Sequence, residues 1–404
     1  MKYIVVLGDG MSDWKIKDLG NKTCLEAART PNLDKLAPYA EIGLCKTIPD
    51  KLKPGSDVAN MSVLGFDPKI FYTGRSPLEA VSMGIPLSST DVTLRCNLVT
   101  LSDDEPYENK TMLDYSAGEI STEEAEELIK FIDKNLGNGK YKFYPGISYR
   151  HCLVADNGKT GHSLTPPHDI SDRKITQHLP KGVNGNIYLS FMRESFSLLK
   201  NHPVNLKRIK EGKKPANSIW LWGEGTKPSF DSFEKLHNLK GGIISAVDLV
   251  KGIGMLAEMK IIEVDGATGN YETNFLGKAN KAVDELLNGL DYVYVHIEAP
   301  DECGHHGDFK NKIYSIEQID GAVIKTVVER FNEAGESFAM LVCPDHPTPC
   351  AIKTHVSEPV PYLIYSNAKS LSNGAKRYTE TQAQNTKFFV SDGYKLIEKL
   401  ISVK

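Results

Sequence analysis

The sequence lacks the cysteine pattern of a disulfide-stabilised or zinc-binding protein. Its 404 residues include seven scattered cysteines, an odd number, and no two of them form a CxxC pair. A disulfide framework needs an even set of partners, and a zinc ribbon needs closely spaced pairs. We therefore expect reduced cysteines in a cytoplasmic protein.

Long hydrophobic runs and an excess of basic residues are also absent. The N-terminal run YIVVLG is too short for the core of a signal peptide or for a membrane-spanning helix. The 48 basic residues are outnumbered by 52 acidic ones, so no overall positive field would attract a nucleic-acid backbone. The GxxxxGK[ST] loop of P-loop ATP sites is missing too. We therefore expect a small-molecule substrate, with neither nucleic acid nor membrane as a partner.

What is present is an ordinary globular composition, 40% hydrophobic and 25% charged, with strands that alternate with helices. Short apolar runs predict strands at 3–8, 289–297, 338–343, 360–365 and 386–391. Apolar residues at helical spacing predict helices at 275–289 and 311–331. This alternation predicts an α/β fold with a mostly parallel sheet between helices.

The middle of the chain has a different pattern, and the total length favours two domains. There we predict strands at 91–100, 146–156 and 185–192 and an amphipathic helix at 122–136. Trp220 and Trp222 indicate a strand that returns into the core. We therefore predict a discontinuous core at 1–87 and 216–404, and a smaller inserted α/β domain at 88–215.

Acids and imidazoles follow the predicted strands, at the carboxyl edge where ligands of parallel sheets gather. They are Asp9, Asp301 with His305, Asp345 with His346, and His355. An aspartate and a histidine four residues apart share a helix face, although such a pair alone is more typical of a solvated surface. Together at one edge, these side chains form a ligand set for zinc or manganese.

Ser56 follows Pro-Gly and precedes a helical pattern, so we expect it at the N-terminus of a helix. Backbone N–H groups and the helix dipole favour an anion there. A nearby metal would also lower the pKa of the hydroxyl and make it nucleophilic. Taken alone, the residue is more typical of a helix cap.

Taken together, these stretches resemble the alkaline phosphatase superfamily, and within it the archaeal type of cofactor-independent (2,3-bisphosphoglycerate-independent) phosphoglycerate mutase. The matching stretches are VVLGDGMSD (5–13), RTPNLDKLA (29–37), PGSDVANMSVLGFDP (54–68), YTGRSPLEA (72–80), RCNLVT (95–100), APDECGHHGD (299–308), CPDHPTP (343–349) and THVSEPVPY (354–362). The resemblance implies an alkaline-phosphatase-like core.

The resemblance also implies two divalent metal ions and no bisphosphoglycerate. One metal would be held by Asp9, Ser56, Asp345 and His346, and the other by Asp301, His305 and His355. Mixed oxygen and nitrogen ligands favour Mn²⁺ and are compatible with Zn²⁺, Co²⁺ or Mg²⁺. Ser56 would be the nucleophile, whereas the family pattern assigns no role to His306 or Asp308.

The implied reaction interconverts 3-phosphoglycerate and 2-phosphoglycerate through a phosphoserine at Ser56, in glycolysis and gluconeogenesis. Glycerate would stay bound between two phosphoryl transfers, so the second transfer becomes effectively intramolecular. The inserted domain would bind substrate and close over the site, since entering water would turn the mutase into a phosphatase.

Substrate contacts are less strongly indicated than metal ligands. A carboxylate calls for an arginine fork, for which Arg95 and Arg150 are candidates. Lys251 is a candidate for the phosphoryl group and His168 for an acid or base. Each is equally typical of an ordinary surface residue.

Five other residues near these motifs have simpler interpretations. Asp57 and Asn60 would support the phosphoserine or cap its helix. Cys303 and Cys343 are interpreted as packing residues, and Asp320 as part of a solvent-facing helix surface.

The alternative function is a metal-dependent phosphatase or another phosphotransferase of the superfamily, which would share every metal ligand. A phosphopentomutase fits the quoted stretches less well. A metal-binding scaffold without catalysis is disfavoured, because all seven ligands, with the nucleophile among them, are present.

Overall fold

The computed structural model describes residues 1–403, which form two compact units. The first comprises Met1–Tyr72 and the described chain from Phe230 onward, and the second is Thr73–Ser229. The boundaries predicted at 87/88 and 215/216 therefore lie inside the second unit. Among the described residues, no helix combines the length and apolar character that a membrane crossing requires.

The described strands are β1 (Lys2–Gly8), β2 (Glu41–Cys45), β3 (Val92–Leu101), β4 (Met112–Asp114), β5 (Tyr141–Tyr144), β6 (Arg150–Ala155), β7 (Ser218–Thr226), β8 (Gly241–Ile244), β9 (Lys260–Ile261), β10 (Tyr292–Ile297), β11 (Phe338–Cys343), β12 (Val360–Ser366) and β13 (Phe389–Val390). Each run that predicted a strand of the core overlaps one of them.

The described α-helices are α1 (Cys24–Ala27), α2 (Pro31–Leu36), α3 (Ser56–Val63), α4 (Pro68–Phe71), α5 (Ser76–Ser82), α6 (Thr122–Leu136), α7 (Gly185–Leu199), α8 (Pro203–Lys210), α9 (Phe233–His237), α10 (Asp248–Leu256), α11 (Phe275–Leu287), α12 (Ala299–His306), α13 (Phe309–Gln318), α14 (Lys325–Ala334), α15 (Glu380–Thr386) and α16 (Leu396–Ile401). A π-helical segment, Ile319–Ile324, joins α13 to α14. Short 3₁₀ turns occur at Lys17–Leu19, Ala37–Tyr39, Tyr107–Asn109, Pro167–Ile170, Ile175–His178 and Gly393–Lys395.

The first unit is built on an eight-stranded sheet in the order β13-β2-β12-β11-β1-β10-β8-β9. All neighbouring strands are parallel except at β12, which is antiparallel to both β11 and β2. The central strands β10 and β11 are buried throughout, as expected for parallel strands covered on both faces. The predicted mostly parallel α/β fold is confirmed.

The second unit has its own five-stranded antiparallel sheet, with β3 between β6 and β7. Helix α6 covers it with buried residues at helical spacing, and the Ser121 hydroxyl accepts the Glu124 N–H at its start. Helix α5 packs against β3 and β7. This packing explains the extent of the second unit: α5 and β7 flank the predicted insert in sequence, but α5 packs on its sheet and β7 is a strand of that sheet.

Two predictions about the second unit are wrong. Residues 185–192 begin helix α7 rather than a strand, because Tyr188, Met192, Ser195 and Leu199 recur at helical spacing and are buried. Trp220 and Trp222 do lie on a strand, β7, but it pairs with β3 in the second unit instead of entering the core.

Asp320 is also not the solvent-facing residue that we predicted. It lies in the π-helical segment and is buried. Its carboxylate accepts the backbone N–H groups of Asn32 and Leu33 at 3.1 and 2.7 Å. Both N–H groups belong to the first turn of α2, where backbone N–H groups have no hydrogen-bond partner within their own helix. Asp320 therefore caps α2 from a distant part of the chain.

Candidate active site

The predicted ligands converge at the carboxyl edge of the first unit's parallel strands. Asp9 follows β1, α12 after β10 carries Asp301 and His305, and Asp345 follows β11. His355 precedes β12, whose antiparallel direction puts its start at the same edge. Ser56 begins α3, as predicted, and its hydroxyl lies 3.1 Å from Nε2 of His346.

Asp9, Asp345 and His346 form one group of ligand atoms, all within 4.8 Å of one another and buried. Nε2 of His346 lies 3.3 Å from Oδ2 of Asp345 and 3.6 Å from Oδ1 of Asp9. The Asp345 carboxylate also accepts the Gly10 N–H at 3.0 Å and the Asn60 amide at 2.9 Å. Asp345 is thereby held in one orientation beside Ser56.

Thr348 determines which nitrogen of His346 carries the proton. The Thr348 hydroxyl donates to Oδ1 of Asp301, which as a carboxylate oxygen only accepts. The hydroxyl oxygen therefore accepts the proton on Nδ1 of His346, at 3.2 Å. This leaves the Nε2 lone pair of His346 directed at the hydroxyl of Ser56, where a cation or a proton can be bound.

Asp301, His305 and His355 form the second group. Nε2 of His305 lies 3.2 Å from Oδ2 of Asp301, and Nε2 of His355 lies 3.5 Å from Oδ1. The two imidazole Nε2 atoms are only 2.9 Å apart. Nδ1 of His305 donates to the Lys353 carbonyl at 3.0 Å, so the other ring nitrogen, Nε2, is the one that faces Asp301. The ligand atom of His346 lies within 4.8 Å of Asp301 and His355, so the two groups adjoin.

The carboxylates of this cluster are buried close to one another, and a bound cation would relieve their repulsion. Burial, reinforced by Asp345, Asp301 and Glu298, raises the pKa of Asp9 well above its ordinary value. Burial also opposes ionisation of Asp301, but hydrogen bonds from His305 and His355 outweigh it and hold that pKa well below normal. Oδ1 of Asp9 is buried and has no hydrogen-bond partner among the described residues. Carboxylates, inward-facing imidazoles and this open oxygen fit divalent cations.

His296 is a functional candidate that sequence reasoning missed. It is fully buried on β10, and its Nε2–H donates to Oδ2 of Asp9 at 2.8 Å. Its Nδ1 accepts the Ser245 hydroxyl at 3.1 Å, and Ser245 accepts the Val247 N–H at 3.0 Å. This relay fixes both the histidine tautomer and the orientation of Asp9. The only sequence signal is a histidine inside an otherwise apolar strand.

Asn60 joins the site through contacts that its sequence position did not reveal. Its amide donates to the Ser56 carbonyl and to Asp345, both at 2.9 Å, and its oxygen accepts the Tyr294 hydroxyl at 2.7 Å. Asp57 instead accepts the Val58 N–H at 2.9 Å and the Tyr72 hydroxyl at 2.6 Å. Asn60 therefore supports a proposed ligand, whereas Asp57 secures the start of α3.

The remaining residues of the APDECGHHGD stretch are peripheral. His306 is exposed and lies 3.7 Å from Glu302 on the same helix. Asp308 caps α13 by accepting the Asn311 N–H at 3.1 Å.

Cys303 and Cys343 are buried free thiols, in agreement with their interpretation as packing residues. All seven cysteines are free.

The four predicted substrate residues are divided between the units. Lys251 lies on α10, which neighbours α3, and its ammonium bonds Glu263 at 2.9 Å. Arg95 and Arg150 lie on paired strands of the second unit. His168 lies in a 3₁₀ turn, with its ring 5.3 Å from that of Trp222.

Comparison with known proteins gives a consistent family. A family model described as "2,3-bisphosphoglycerate-independent phosphoglycerate mutase" matches residues 37–205. Proteins of that name from Methanosarcina barkeri and Methanothrix thermoacetophila are 49% and 44% identical to this chain, with 100% of each chain covered. In structure, the chain is similar to a Pyrococcus horikoshii protein (TM-score 0.82, 29% identity, 99% of this chain and 96% of that one). It is also similar to a cofactor-independent phosphoglycerate mutase from Thermoplasma acidophilum (TM-score 0.66, 26% identity, 100% of both chains).

Proposed function

Since this chain belongs to the 2,3-bisphosphoglycerate-independent phosphoglycerate mutase family of isomerases, we propose that it interconverts 3-phosphoglycerate and 2-phosphoglycerate through a phosphoserine at Ser56. The observation that carries this proposal is the position of the Ser56 hydroxyl. It begins a helix and lies 3.1 Å from an imidazole within a buried cluster of carboxylates and imidazoles.

Two divalent cations are part of the proposal. Asp9, Ser56, Asp345 and His346 would hold one, and a separate set would hold the other: Asp301, His305 and His355. We favour Mn²⁺, and Zn²⁺, Co²⁺ or Mg²⁺ would suit the same mixed oxygen and nitrogen ligands. When bound, such cations polarise phosphoryl and hydroxyl oxygens and stabilise the charge that develops on them.

The protein residues then perform two balanced transfers. Oγ of Ser56 attacks phosphorus, and the bond from phosphorus to the C3 oxygen of 3-phosphoglycerate breaks. The proton lost by Ser56 is regained by the glycerate hydroxyl. The C2 hydroxyl of the retained glycerate then attacks the phosphoserine, the bond from phosphorus to Oγ breaks, and the proton lost by the C2 hydroxyl returns to Oγ of Ser56. Retention matters because a bound glycerate outcompetes water as the acceptor.

Substrate contacts are proposed for four residues. Arg95 and Arg150 would bind the carboxylate, and Lys251 the phosphoryl group. His168 would exchange protons with the glycerate hydroxyls. Glu263 already neutralises Lys251, so that role requires the lysine to exchange one anionic partner for another. We propose that the second unit supplies substrate contacts and limits the access of water.

The test is an assay of both products in one reaction, without bisphosphoglycerate. Chelator-treated protein is reloaded with Mn²⁺ and given 3-phosphoglycerate, and 2-phosphoglycerate and inorganic phosphate are both followed. We expect isomer with little phosphate, and loss of the isomer in Ser56→Ala. Acid-quenched protein given ³²P-labelled substrate should carry label on the peptide that contains Ser56.

The matched control is Ser62→Ala, on the same helix. Ser62 is buried, and its hydroxyl donates to the Thr47 carbonyl rather than to any of the proposed ligands. It should retain isomerisation and labelling. Phosphate without isomer in the unmodified protein would contradict the mutase and favour the phosphatase alternative. Full activity in Ser56→Ala would exclude Ser56 as the nucleophile.

A further inference from the structure

Two buried cysteines of the first unit meet from distant parts of the chain. Cys24 is the first residue of α1, and Cys350 follows the segment that carries Asp345 and His346. The two Sγ atoms and a carboxylate oxygen of Asp13 all lie within 4.8 Å of one another. Both thiols are free, and neither has a role in the proposed reaction. Thiols this close together can hold a metal ion or form a disulfide.

The surroundings of Asp13 disfavour a metal ion between the thiols. Oδ2 of Asp13 accepts the Lys312 ammonium at 2.8 Å and the Cys24 thiol at 3.5 Å. Oδ1 of Asp13 accepts the Trp14 N–H at 2.7 Å. Both carboxylate oxygens therefore have donors, and a cation would be repelled by the buried ammonium. Oxidation is the thiol chemistry that these contacts leave open.

The two thiols differ in exposure and acidity. Cys24 is fully buried, whereas Cys350 is 8% exposed and precedes four exposed residues, 351–354. A hydrogen bond with Cys350 and burial raise the pKa of the Cys24 thiol, despite the positive charge of Lys312. Peroxides react with the thiolate form of an accessible cysteine. Cys350 is therefore the thiol that a peroxide reaches first, and Cys24 is placed to resolve the product.

Cys24 is held more firmly than Cys350. Thr23 caps α1 with both bonds of a capping box, and its hydroxyl donates to Glu380 at 2.8 Å. The Cys350 N–H donates to the Asp13 carboxylate at 3.3 Å, which is longer than most such bonds. A disulfide requires about 2.05 Å between the two sulfurs, so its formation should draw Cys350 toward α1.

Thr348 connects Cys350 to the ligand cluster. It lies two residues before Cys350, and its hydroxyl donates to Asp301 and accepts from His346 at 3.2 Å. Its backbone is tightly packed, because a Cβ at Gly304 on α12 would lie 2.6 Å from the Thr348 carbonyl oxygen. A displacement of Thr348 would therefore disturb one proposed ligand of each cation.

We propose that Cys24 and Cys350 are a redox-active dithiol, and that its oxidation to a disulfide by hydrogen peroxide weakens cation binding at the ligand cluster. The formation of the disulfide does not depend on the proposed function. The effect on catalysis rests on that function, because it acts through the proposed cation ligands.

The oxidation proceeds in two balanced steps. The Cys350 thiolate attacks one oxygen of hydrogen peroxide, the O–O bond breaks, and the departing hydroxide takes up the proton that the thiol had released. Sγ of Cys24 then attacks the resulting sulfenic acid, the S–O bond breaks, and the Cys24 proton leaves with the hydroxide as water. Two thiols and one peroxide thus give one disulfide and two water molecules.

The disulfide is tested on the full chain, which is reduced, treated with chelator and exposed to hydrogen peroxide. The remaining thiols are blocked with N-ethylmaleimide in denaturant, and the protein is digested without reductant. We expect mass spectrometry to find a peptide that links Cys24 to Cys350. The number of blocked thiols should fall by two from seven, and dithiothreitol should restore all of them.

Cys24→Ser and Cys350→Ser should both prevent the link, but in different ways. Dimedone, which reacts with sulfenic acids, should label Cys350 in Cys24→Ser and leave Cys24 unlabelled in Cys350→Ser. The matched control is Cys45→Ala, because Cys45 is a buried free thiol of the same unit. It should form the link as the parent does. If Cys350→Ser does not fold, Cys350→Ala takes its place.

Cation affinity is compared between reduced and oxidised parent by titration with Mn²⁺, after the peroxide has been removed. Loss of a group that orients a metal ligand typically weakens binding about 10- to 100-fold, and here Thr348 is displaced rather than removed. We therefore expect affinity to fall roughly 10-fold on oxidation and to recover with dithiothreitol. Cys24→Ser should keep its affinity after the same treatment, which separates the disulfide from other effects of peroxide.

Each outcome supports or overturns a specific statement. Oxidised parent without the link between Cys24 and Cys350 overturns the dithiol. A link from Cys350 to Cys303, whose thiol also lies within electrostatic range, overturns the choice of partner. Thiolate-to-metal absorption with Cd²⁺ that is lost in Cys24→Ser overturns the choice of oxidation over metal binding.

The coupling to the ligand cluster has its own outcomes. A link that leaves Mn²⁺ affinity unchanged overturns the coupling. Isomerase assays on the same preparations separate this inference from the proposed function. A reversible link with weaker Mn²⁺ binding, in a protein that forms no 2-phosphoglycerate, contradicts only the mutase.

Discussion

The hydrogen bond from His296 to Asp9 makes a quantitative prediction about metal affinity. We propose Asp9 as a metal ligand, and His296 contacts the carboxylate oxygen that is farther from His346. His296→Phe removes the donor and keeps an apolar ring of similar size on β10. Oδ2 of Asp9 then loses its 2.8 Å partner in a fully buried environment.

The magnitude follows from two independent estimates. A hydrogen bond to a charged group contributes about 1.5–3 kcal/mol net. Loss of a residue that orients a metal ligand typically costs roughly 10- to 100-fold in metal affinity, which corresponds to about 1.4–2.8 kcal/mol. The two estimates agree. We therefore expect His296→Phe to weaken Mn²⁺ binding about 10- to 100-fold.

The assay is a titration of chelator-treated protein with Mn²⁺, in which free Mn²⁺ is read from its electron paramagnetic resonance signal. His296→Gln, which offers an amide N–H near the position of Nε2, should recover part of the affinity. Tyr292→Phe on the same strand is the control, because the Tyr292 hydroxyl is buried and has no hydrogen-bond partner among residues 1–403. Removing that hydroxyl should leave both affinity and stability unchanged or slightly improved.

The reasoning would be refuted by unchanged Mn²⁺ affinity in His296→Phe with an intact thermal transition. It would also fail if Tyr292→Phe lost affinity to the same extent, because the effect would then report packing of β10. Partial recovery in His296→Gln distinguishes a positioning role from simple space filling, since only the donor is restored.

Two further predictions concern stability. Lys312→Ala should destabilise the protein by about 3–5 kcal/mol, because it leaves the fully buried Asp13 carboxylate without its ammonium partner at 2.8 Å. The control is Lys310→Ala: Lys310 is exposed, so this variant should have the same midpoint of denaturant unfolding as the parent. Burial raises the pKa of Glu380 from 4.5 to about 7, so the folded state binds the proton of this carboxyl group more tightly than the unfolded state does. Protonated Glu380 therefore stabilises the folded state below about pH 4.5, and this stabilisation is lost as the pH rises to about 7. In thermal melts, Glu380→Gln should therefore be more stable than the parent at pH 8, by up to about 3 kcal/mol, and similar to it at pH 4.5. If the stabilities of variant and parent changed in parallel with pH, Glu380 would not be the group that titrates.

Several features were predictable because their signals are local in sequence. Buried parallel strands appear as short apolar runs, and the residues that follow them must meet at one edge of the sheet. That rule placed Asp9, Asp301, Asp345 and His346 together. Ser56 was predicted at the start of a helix from the Pro-Gly before it and the helical pattern after it.

Predictions from short stretches of sequence failed where the local structure is decided by contacts with residues that are distant in sequence. The short stretch at 185–192 suits a strand or a helix, and the helix becomes evident only from the buried positions that continue to Leu199. Asp320 was interpreted as a surface residue, yet it caps helix α2 by accepting the N–H of Leu33, which is 287 residues away in sequence. The second unit extends beyond the predicted insert for the same reason, since α5 packs against β3 and β7 pairs with β3.

The sequence by itself therefore determined the kind of sheet and the edge of it at which the proposed ligands gather. Only the tertiary structure decided how those ligands are oriented and supported. Tautomers, ion pairs and buried polar relays depend on atoms within about 3 Å of each other, and those atoms come from separate strands. His296 illustrates the difference, because in sequence it is one polar residue in an apolar strand and in the fold it holds Asp9 in place.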